Sequence, residues 1–194
     1  MGPGELEEED RRPLRIRAFF GLPVPEPQRE ELARFLDVCA QAAPNFRWTP
    51  KGNLHLTIRF VGSVDRALVE SVADTLAHRA LAAFDIQLGD VGSFGRGRAA
   101  RVVWLGLRNG AEAAAALAAR VDEECVRSGL APESRPYQAH VTLARVRSRG
   151  GARLPELPPM PRLKLWRADQ LVLYSSRLMR TGAVYEALSA LELT

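Results

Sequence analysis

The sequence predicts an α+β fold on three observations. Short alternating runs of apolar and polar residues recur as strands. Amphipathic stretches of helical length fall between them. One succession, a helix, a turn and a His-apolar-Thr strand, occurs twice. The repeat points to two similar lobes, each supplying one histidine strand.

The chain of 194 residues is 46% apolar, enough for one large domain or two tightly joined lobes with a real core. No apolar run reaches the roughly 18 residues needed to span a bilayer, so no membrane segment is expected. Residues 1–12 are acidic and carry Gly and Pro without an apolar h-region; they are expected to form a disordered tail rather than a secretory signal. Residues 13–194 are expected to form the single folded domain. Cys39 and Cys125 have no Cys-x-x-Cys partner and are expected to be reduced, partly buried thiols of a cytoplasmic protein. Net charge is +4, and of 27 basic residues only Lys51 and Lys164 are lysine. Arginine's planar fork suits phosphate and its face stacks on bases, so a phosphorylated or nucleic-acid ligand fits this balance. Genomic base composition alone can also raise arginine and alanine, so charge by itself decides little.

Leu14 to Phe20 alternates and then turns apolar, as a strand does. Pro23 to Pro27 breaks it. Glu30 to Ala43 reads as a helix with Leu32, Phe35, Leu36 and Cys39 on one stripe, ending before Pro44. Phe46 to Thr49 is a short extended piece, followed by a turn over Pro50–Asn53 and a strand over Leu54–Val61 that Gly62 ends. Asp65 is a fitting N-cap for a helix to about Arg79. Phe84–Leu88 is a strand, Gly89–Gly97 a glycine-rich loop holding Phe94, and Arg101–Leu107 another strand. Ala111–Ser128 is an alanine-rich helix closed by Gly129. After a loop over Pro132–Pro136, Tyr137–Val146 is the second histidine strand. Arg147–Pro161 is a surface loop, and Leu163–Trp166, Gln170–Ser175 and Ala183–Leu191 close the chain as strands.

The two motifs are His55-Leu56-Thr57-Ile58 and His140-Val141-Thr142-Leu143, and they use two of the three histidines. Successive strand side chains face opposite ways, so each motif sets an imidazole and a hydroxyl on one face and two aliphatics on the other. Imidazole accepts and donates protons near neutral pH. Two of them flanking one phosphorus suit in-line displacement: one activates water, the other protonates the departing alkoxide. The threonine hydroxyls can bind the non-bridging oxygens. No metal or cofactor is needed. Arg59 continues the His55/Thr57 face by strict alternation. Arg145 falls on the opposite parity from His140 and Thr142, so only twist or a bulge would bring it round. Phe94 and nearby arginines could stack on or clamp a nucleotide, or form a plain surface turn. His78 lies on a helix without a partner and reads as a surface residue. A zinc site at His55 and His140 lacks a third ligand in a comparable strand. Neither a Gly-x-Ser-x-Gly elbow nor a P-loop is present.

The paired motifs resemble those of the 2H phosphoesterases. Asn53 to Gly62 and Ala139 to Arg145 are similar to the bacterial and archaeal RNA 2′,3′-cyclic phosphodiesterases, also called 2′-5′ RNA ligases. Arg17-Ala18-Phe19-Phe20, Arg47-Trp48, Leu173 to Leu178 and Val184-Tyr185-Glu186 add to the likeness, which runs from about Leu14 to Leu191. It implies a bilobal α+β fold with a pseudo-twofold axis and a cleft between antiparallel sheets. It also implies metal-independent hydrolysis of RNA 2′,3′-cyclic phosphate ends to 2′-phosphate. His55 would be the proton donor and His140 the proton acceptor; Thr57 and Thr142 would bind the phosphate, and Arg145 would contact the ligand. The family usually has proline where Ala139 stands. The partner expected is an RNA or oligonucleotide with a cyclic phosphate end, and a monomer is the default. Two other functions fit the same residues: ligation, in which a 5′-hydroxyl replaces water, and a non-catalytic module that binds RNA ends.

Overall fold

The computed structural model describes residues 14–180 and 182–194. The expected tail at 1–12 lies outside them. The described chain runs β1 (Arg15–Pro23), α1 (Glu26–Ala42), β2 (Phe46–Trp48), a 3-10 turn (Lys51–Asn53), β3 (His55–Asp65), α2 (Arg66–Ala77), β4 (Phe84–Arg96), β5 (Ala99–Asn109), α3 (Ala111–Arg127), β6 (His140–Val146), β7 (Ala152–Arg153), β8 (Trp166–Ala168), β9 (Gln170–Met179) and β10 (Gly182–Glu192). All the strands join one antiparallel sheet in the order β10-β9-β1-β3-β6-β5-β4-β8. β2 adds to β6 and β7 to β5. The order has an internal symmetry: β3 and β6 are the two central strands, with β1 beyond one and β5 beyond the other. None of the described helices is long and apolar enough to cross a membrane.

One face of the sheet carries the core. Leu56, Ile58, Val141 and Leu143 point into it, together with Leu117, Val121 and Cys125 of α3 and Val69, Val72 and Leu76 of α2. The stripe expected on α1, Leu32, Phe35, Leu36 and Cys39, is buried. Asp65 caps α2 as expected, its carboxylate accepting from the amides of Ala67 and Leu68 at 2.7 and 3.4 Å. Both thiols are buried, and burial pushes each up to about 11, so they stay protonated and unreactive.

Several boundaries differ from the expectation, each for a local reason. α1 starts at Glu26 rather than Glu30, because Pro25 and Pro27 sit at its entrance, where no amide partner is lost. β3 continues through Gly62, which takes φ +82 as a bend and not a stop. The second histidine strand starts at His140, not Tyr137. The glycine-rich stretch 89–97 is not a loop. Residues 89–96 are the second half of β4, paired with β5, only Gly97 falls in the turn, and glycines of the strand make room for neighbours. A Cβ at Gly92 would stand 2.2 Å from the Trp104 ring, and one at Gly95 would stand 2.0 Å from the Ala99 carbonyl.

Candidate active site

β3 and β6 run antiparallel and pair at Leu56 and Val141. One residue further along in either direction, the register sets His55 across from Thr142 and Thr57 across from His140. The two histidines therefore form one diagonal of a square and the two threonines the other. Side chains on such a diagonal have Cβ atoms roughly 7–8 Å apart. The two rings are close enough that the charge of His140 bears on His55.

The histidine strands match beyond their motifs. His55 to Val61 and His140 to Val146 have the same burial sequence: half-buried, buried, half-buried, buried, buried, exposed, half-buried. The repeated irregularity is a β-bulge at the same motif position. In β3 the partners of Thr57 and Arg59 are the neighbours Gly21 and Phe20, which leaves Ile58 extra. In β6 the partners of Thr142 and Ala144 are the neighbours Trp104 and Val103, which leaves Leu143 extra. A bulge puts two successive residues on one side and reverses the alternation beyond it.

That reversal corrects the expectation for Arg59. Instead of the cleft face it takes the core face, where it is 8% exposed. Its Nε donates to Asp122 Oδ1 of α3 at 2.6 Å, and its remaining nitrogens donate to the carbonyls of Ala131 and Phe60, each at 2.6 Å. Arg59 thus ties β3 to α3 and to the segment leading into His140. The same reversal turns Arg145 onto the side of His140 and Thr142. There its guanidinium is exposed, and its charge disfavours the protonated form of both imidazoles. Phe94 joins the site, its ring meeting His140 edge-on at 5.3 Å between centroids. His78, at the end of α2, is exposed as expected.

The histidine rings are held alike. Nδ1 of His55 lies 2.7 Å from the carbonyl of Asn53, and Nδ1 of His140 lies 2.7 Å from the carbonyl of Gln138. A carbonyl only accepts, so Nδ1 carries the proton in each neutral ring and Nε2 is left with a lone pair. At His55 that lone pair faces the Thr57 hydroxyl, which donates across 3.1 Å. Each anchoring carbonyl is fixed by its own segment. Asn53 donates its side-chain amide to the carbonyl of Ala183 at 2.7 Å. One residue before Gln138, the Tyr137 hydroxyl donates to the carbonyl of Thr57 at 3.0 Å, which joins the two halves.

Around His55 stand Phe19 at 4.7 Å, Tyr185 at 5.2 Å and Tyr174 at 6.1 Å; around His140 stand Phe94 and, at 6.1 Å, Trp104. Burial among these rings pushes His55 down to about 4, the nearby His140 and Arg145 adding to it against the pull of the Asn53 carbonyl. Burial also lowers His140, with Arg145 acting in the same sense. Both shifts favour the neutral ring at pH 7. The sequence reading does not single out Phe19, Trp104, Tyr174 or Tyr185 as site residues. Phe19, Tyr174 and Tyr185 lie in segments that add to the family likeness, whereas the place of Trp104 opposite Thr142 is seen only from the strand pairing. Among the described residues no three His, Cys, Asp or Glu side chains stand together as ion ligands.

Paired imidazoles with fixed tautomers, flanking hydroxyls and an exposed guanidinium on one sheet face are chemically suited to a phosphoester. The comparison with known proteins agrees. The family model described as LigT like Phosphoesterase matches the chain twice, over residues 22–104 and 105–185, and the chain belongs to that family. The repeat in the sequence is the repeat of that model. The chain is 32% identical to the RNA 2′,3′-cyclic phosphodiesterase of Methanothermobacter thermautotrophicus, covering 89% of this chain and 96% of the relative. It is 30% identical to the Escherichia coli protein of the same name, covering 92% and 97%. The crystal structure of E. coli LigT complexed with 3′-AMP superposes with a TM-score of 0.78 at 26% identity, over 93% of this chain and 99% of that one. The fold is thus the bilobal α+β arrangement the resemblance implied.

Proposed function

We propose that this chain hydrolyses the 2′,3′-cyclic phosphate at the 3′ end of RNA to a 2′-phosphate, with His55 and His140 as acid and base and without a metal ion. The observation that carries this is the diagonal square on β3 and β6, with each Nε2 freed by a carbonyl on Nδ1. Relatives that share most of their length with this chain bear the name RNA 2′,3′-cyclic phosphodiesterase.

The cyclic phosphodiester carries one negative charge. Seated between the rings, it reverses the electrostatic balance at His55, because an adjacent anion favours imidazolium. His55 then binds a proton at Nε2, and Thr57 is released from that nitrogen to donate to a non-bridging oxygen. His140 keeps its Nε2 lone pair. Water enters opposite O3′ and its oxygen bonds to phosphorus while His140 takes its proton. The P–O3′ bond breaks, and His55 gives its proton to O3′. The product is a 2′-phosphate with a free 3′-hydroxyl, and the two rings exchange protonation through solvent before the next turnover. Arg145 and Thr142 stabilise the charge that builds on the equatorial oxygens.

The test is incubation of an RNA with a 2′,3′-cyclic phosphate end in EDTA. A 2′-phosphate product at an undiminished rate is expected. A 3′-phosphate product, or a rate restored only by added metal, would contradict the reading.

A further inference from the structure

Among the described residues ten arginines have a carboxylate within ion-pair distance, including Arg29 with Glu26, Arg66 with Glu70 and Arg135 with Glu133. One region departs from this pattern. Residues 91–103 and 144–154 hold Arg96, Arg98, Arg101, Arg147, Arg149 and Arg153 beside Arg145, and no Asp or Glu. All seven are exposed, and among the described residues none of them pairs with a carboxylate.

The topology gathers them at one end of the second lobe. β4 and β5 meet in a tight turn at Gly97 and Arg98, with Arg96 paired to Ala99. β6 lies along β5 until Arg145 meets Val102, and β7 then takes the same edge, Ala152 meeting Ala100 and Arg153 meeting Ala99. The 147–151 connection therefore lies beside the hairpin tip. The region is continuous with the catalytic square. Thr142 pairs with Trp104, Arg145 with Val102, and Phe94 on β4 pairs with that same Val102. From Trp104 to Ala99 the strand climbs roughly 16 Å at about 3.3 Å per residue. That is a path several nucleotides long, starting at the phosphate site and lined by cations without counter-charges.

We infer that this arginine surface holds the backbone phosphates of the RNA upstream of its cyclic end. The inference rests on the function proposed above and extends it: the substrate is a polynucleotide strand, gripped on the 5′ side of the reacting phosphate, rather than a free cyclic nucleotide. Like charges without partners destabilise each other at close range, so such a cluster fits a polyanion that relieves the repulsion. Its arginines fork onto phosphate, and Phe94, standing between the cluster and His140, offers a face to the terminal bases.

The test is the double variant Arg98→Glu/Arg149→Glu, whose residues lie in exposed turns away from the histidines. Two substrates are compared: a nucleoside 2′,3′-cyclic phosphate and a cyclic-ended RNA about twelve nucleotides long. The variant should lose roughly tenfold or more in kcat/KM on the oligomer at about 50 mM salt, through KM, and nothing on the nucleoside. The slope of log affinity against log salt should shrink by about 1.4, the share of two single-strand phosphate contacts. Equal effects on both substrates, or none on the oligomer, would overturn the inference. Binding of the same oligomer with a plain 3′-hydroxyl end, followed by fluorescence anisotropy, separates the two readings. If the wild type turns over neither substrate, the proposed hydrolysis fails. Weaker binding of this oligomer by the variant still supports the arginine surface, and equal binding refutes it.

Discussion

His55 and His140 stand on strands with the same motif, the same bulge and the same carbonyl anchor, yet their surroundings differ. His55 is packed among three aromatic rings and its Nε2 is occupied by Thr57. His140 meets two rings, both on the β4–β5 hairpin that leads to the arginine cluster. Backbone geometry made the halves alike, and the flanking strands made them unlike: β1, β9 and β10 bring Phe19, Tyr174 and Tyr185, and β4 and β5 bring Phe94 and Trp104. A symmetric scaffold thereby gives two imidazoles different environments. Enclosure disfavours a proton on the lone His55 ring, which fits its proposed role as an acid loaded when an anion binds. The less enclosed ring suits a base that works beside water.

The largest expected effects come from erasing either side. His55→Ala and His140→Ala should each lower kcat on the cyclic phosphate by about 10²–10⁴-fold, with circular dichroism showing the fold retained. Near wild-type turnover in either variant would break the pairing.

The two arginines set apart by the bulges come next. Arg145→Ala should cost roughly 10- to 100-fold in kcat/KM with little change in stability, since its guanidinium is exposed. Arg59→Ala should do the reverse to stability: about 2–3 kcal/mol lost in denaturant unfolding. That is less than the roughly 3–5 kcal/mol of a fully buried pair, because Asp122 keeps some access to water. Equal stability losses in the two variants would mean the bulge does not sort them.

Titration sharpens the contrast between the rings. In the free protein the His55 ring, followed by NMR, should protonate near pH 4, and its midpoint should move upward when a 2′-phosphate product binds. The sign carries over to stability. The folded value lies below the unfolded value of about 6.5, so unfolding takes up a proton between them. Stability is therefore complete above about pH 6.5 and drains as pH falls toward 4. A His55 midpoint above 6.5 without ligand would contradict the burial argument.

The smallest effect belongs to Gly21, where a Cβ would lie 3.3 Å from His55 Cδ2 and 3.1 Å from the Leu56 carbonyl. Gly21→Ala should press on the ring and slow turnover several-fold, roughly 1 kcal/mol of barrier, without affecting His140. An unchanged rate would show that the ring has slack.

The histidines and threonines were legible because a period of two is a local property, and so were the Asp65 cap and the α1 stripe. What lay beyond local pattern was missed or inverted. Arg59 and Arg145 stand on the faces opposite to strict alternation because a bulge depends on pairing with β1 or β5, which no tetrapeptide encodes; for Arg145 the family resemblance, not the alternation, pointed to the ligand side. The glycines of 89–97 look like a loop when counted, but residues 89–96 pair with β5, and Gly92 and Gly95 leave room for the Trp104 ring and the Ala99 carbonyl. Phe19, Tyr174 and Tyr185 reach His55 from strands far apart in the chain, so their convergence becomes visible only once the sheet order is known.

The division of labour between the two rings has one direct test. A diester whose leaving group is a nitrophenolate departs without needing a proton, so it bypasses the acid and leaves the base necessary. On such a substrate, in EDTA, His55→Ala should recover most of the wild-type rate while His140→Ala stays inactive. Recovery by His140→Ala instead, or by neither variant, would contradict the assignment of acid and base.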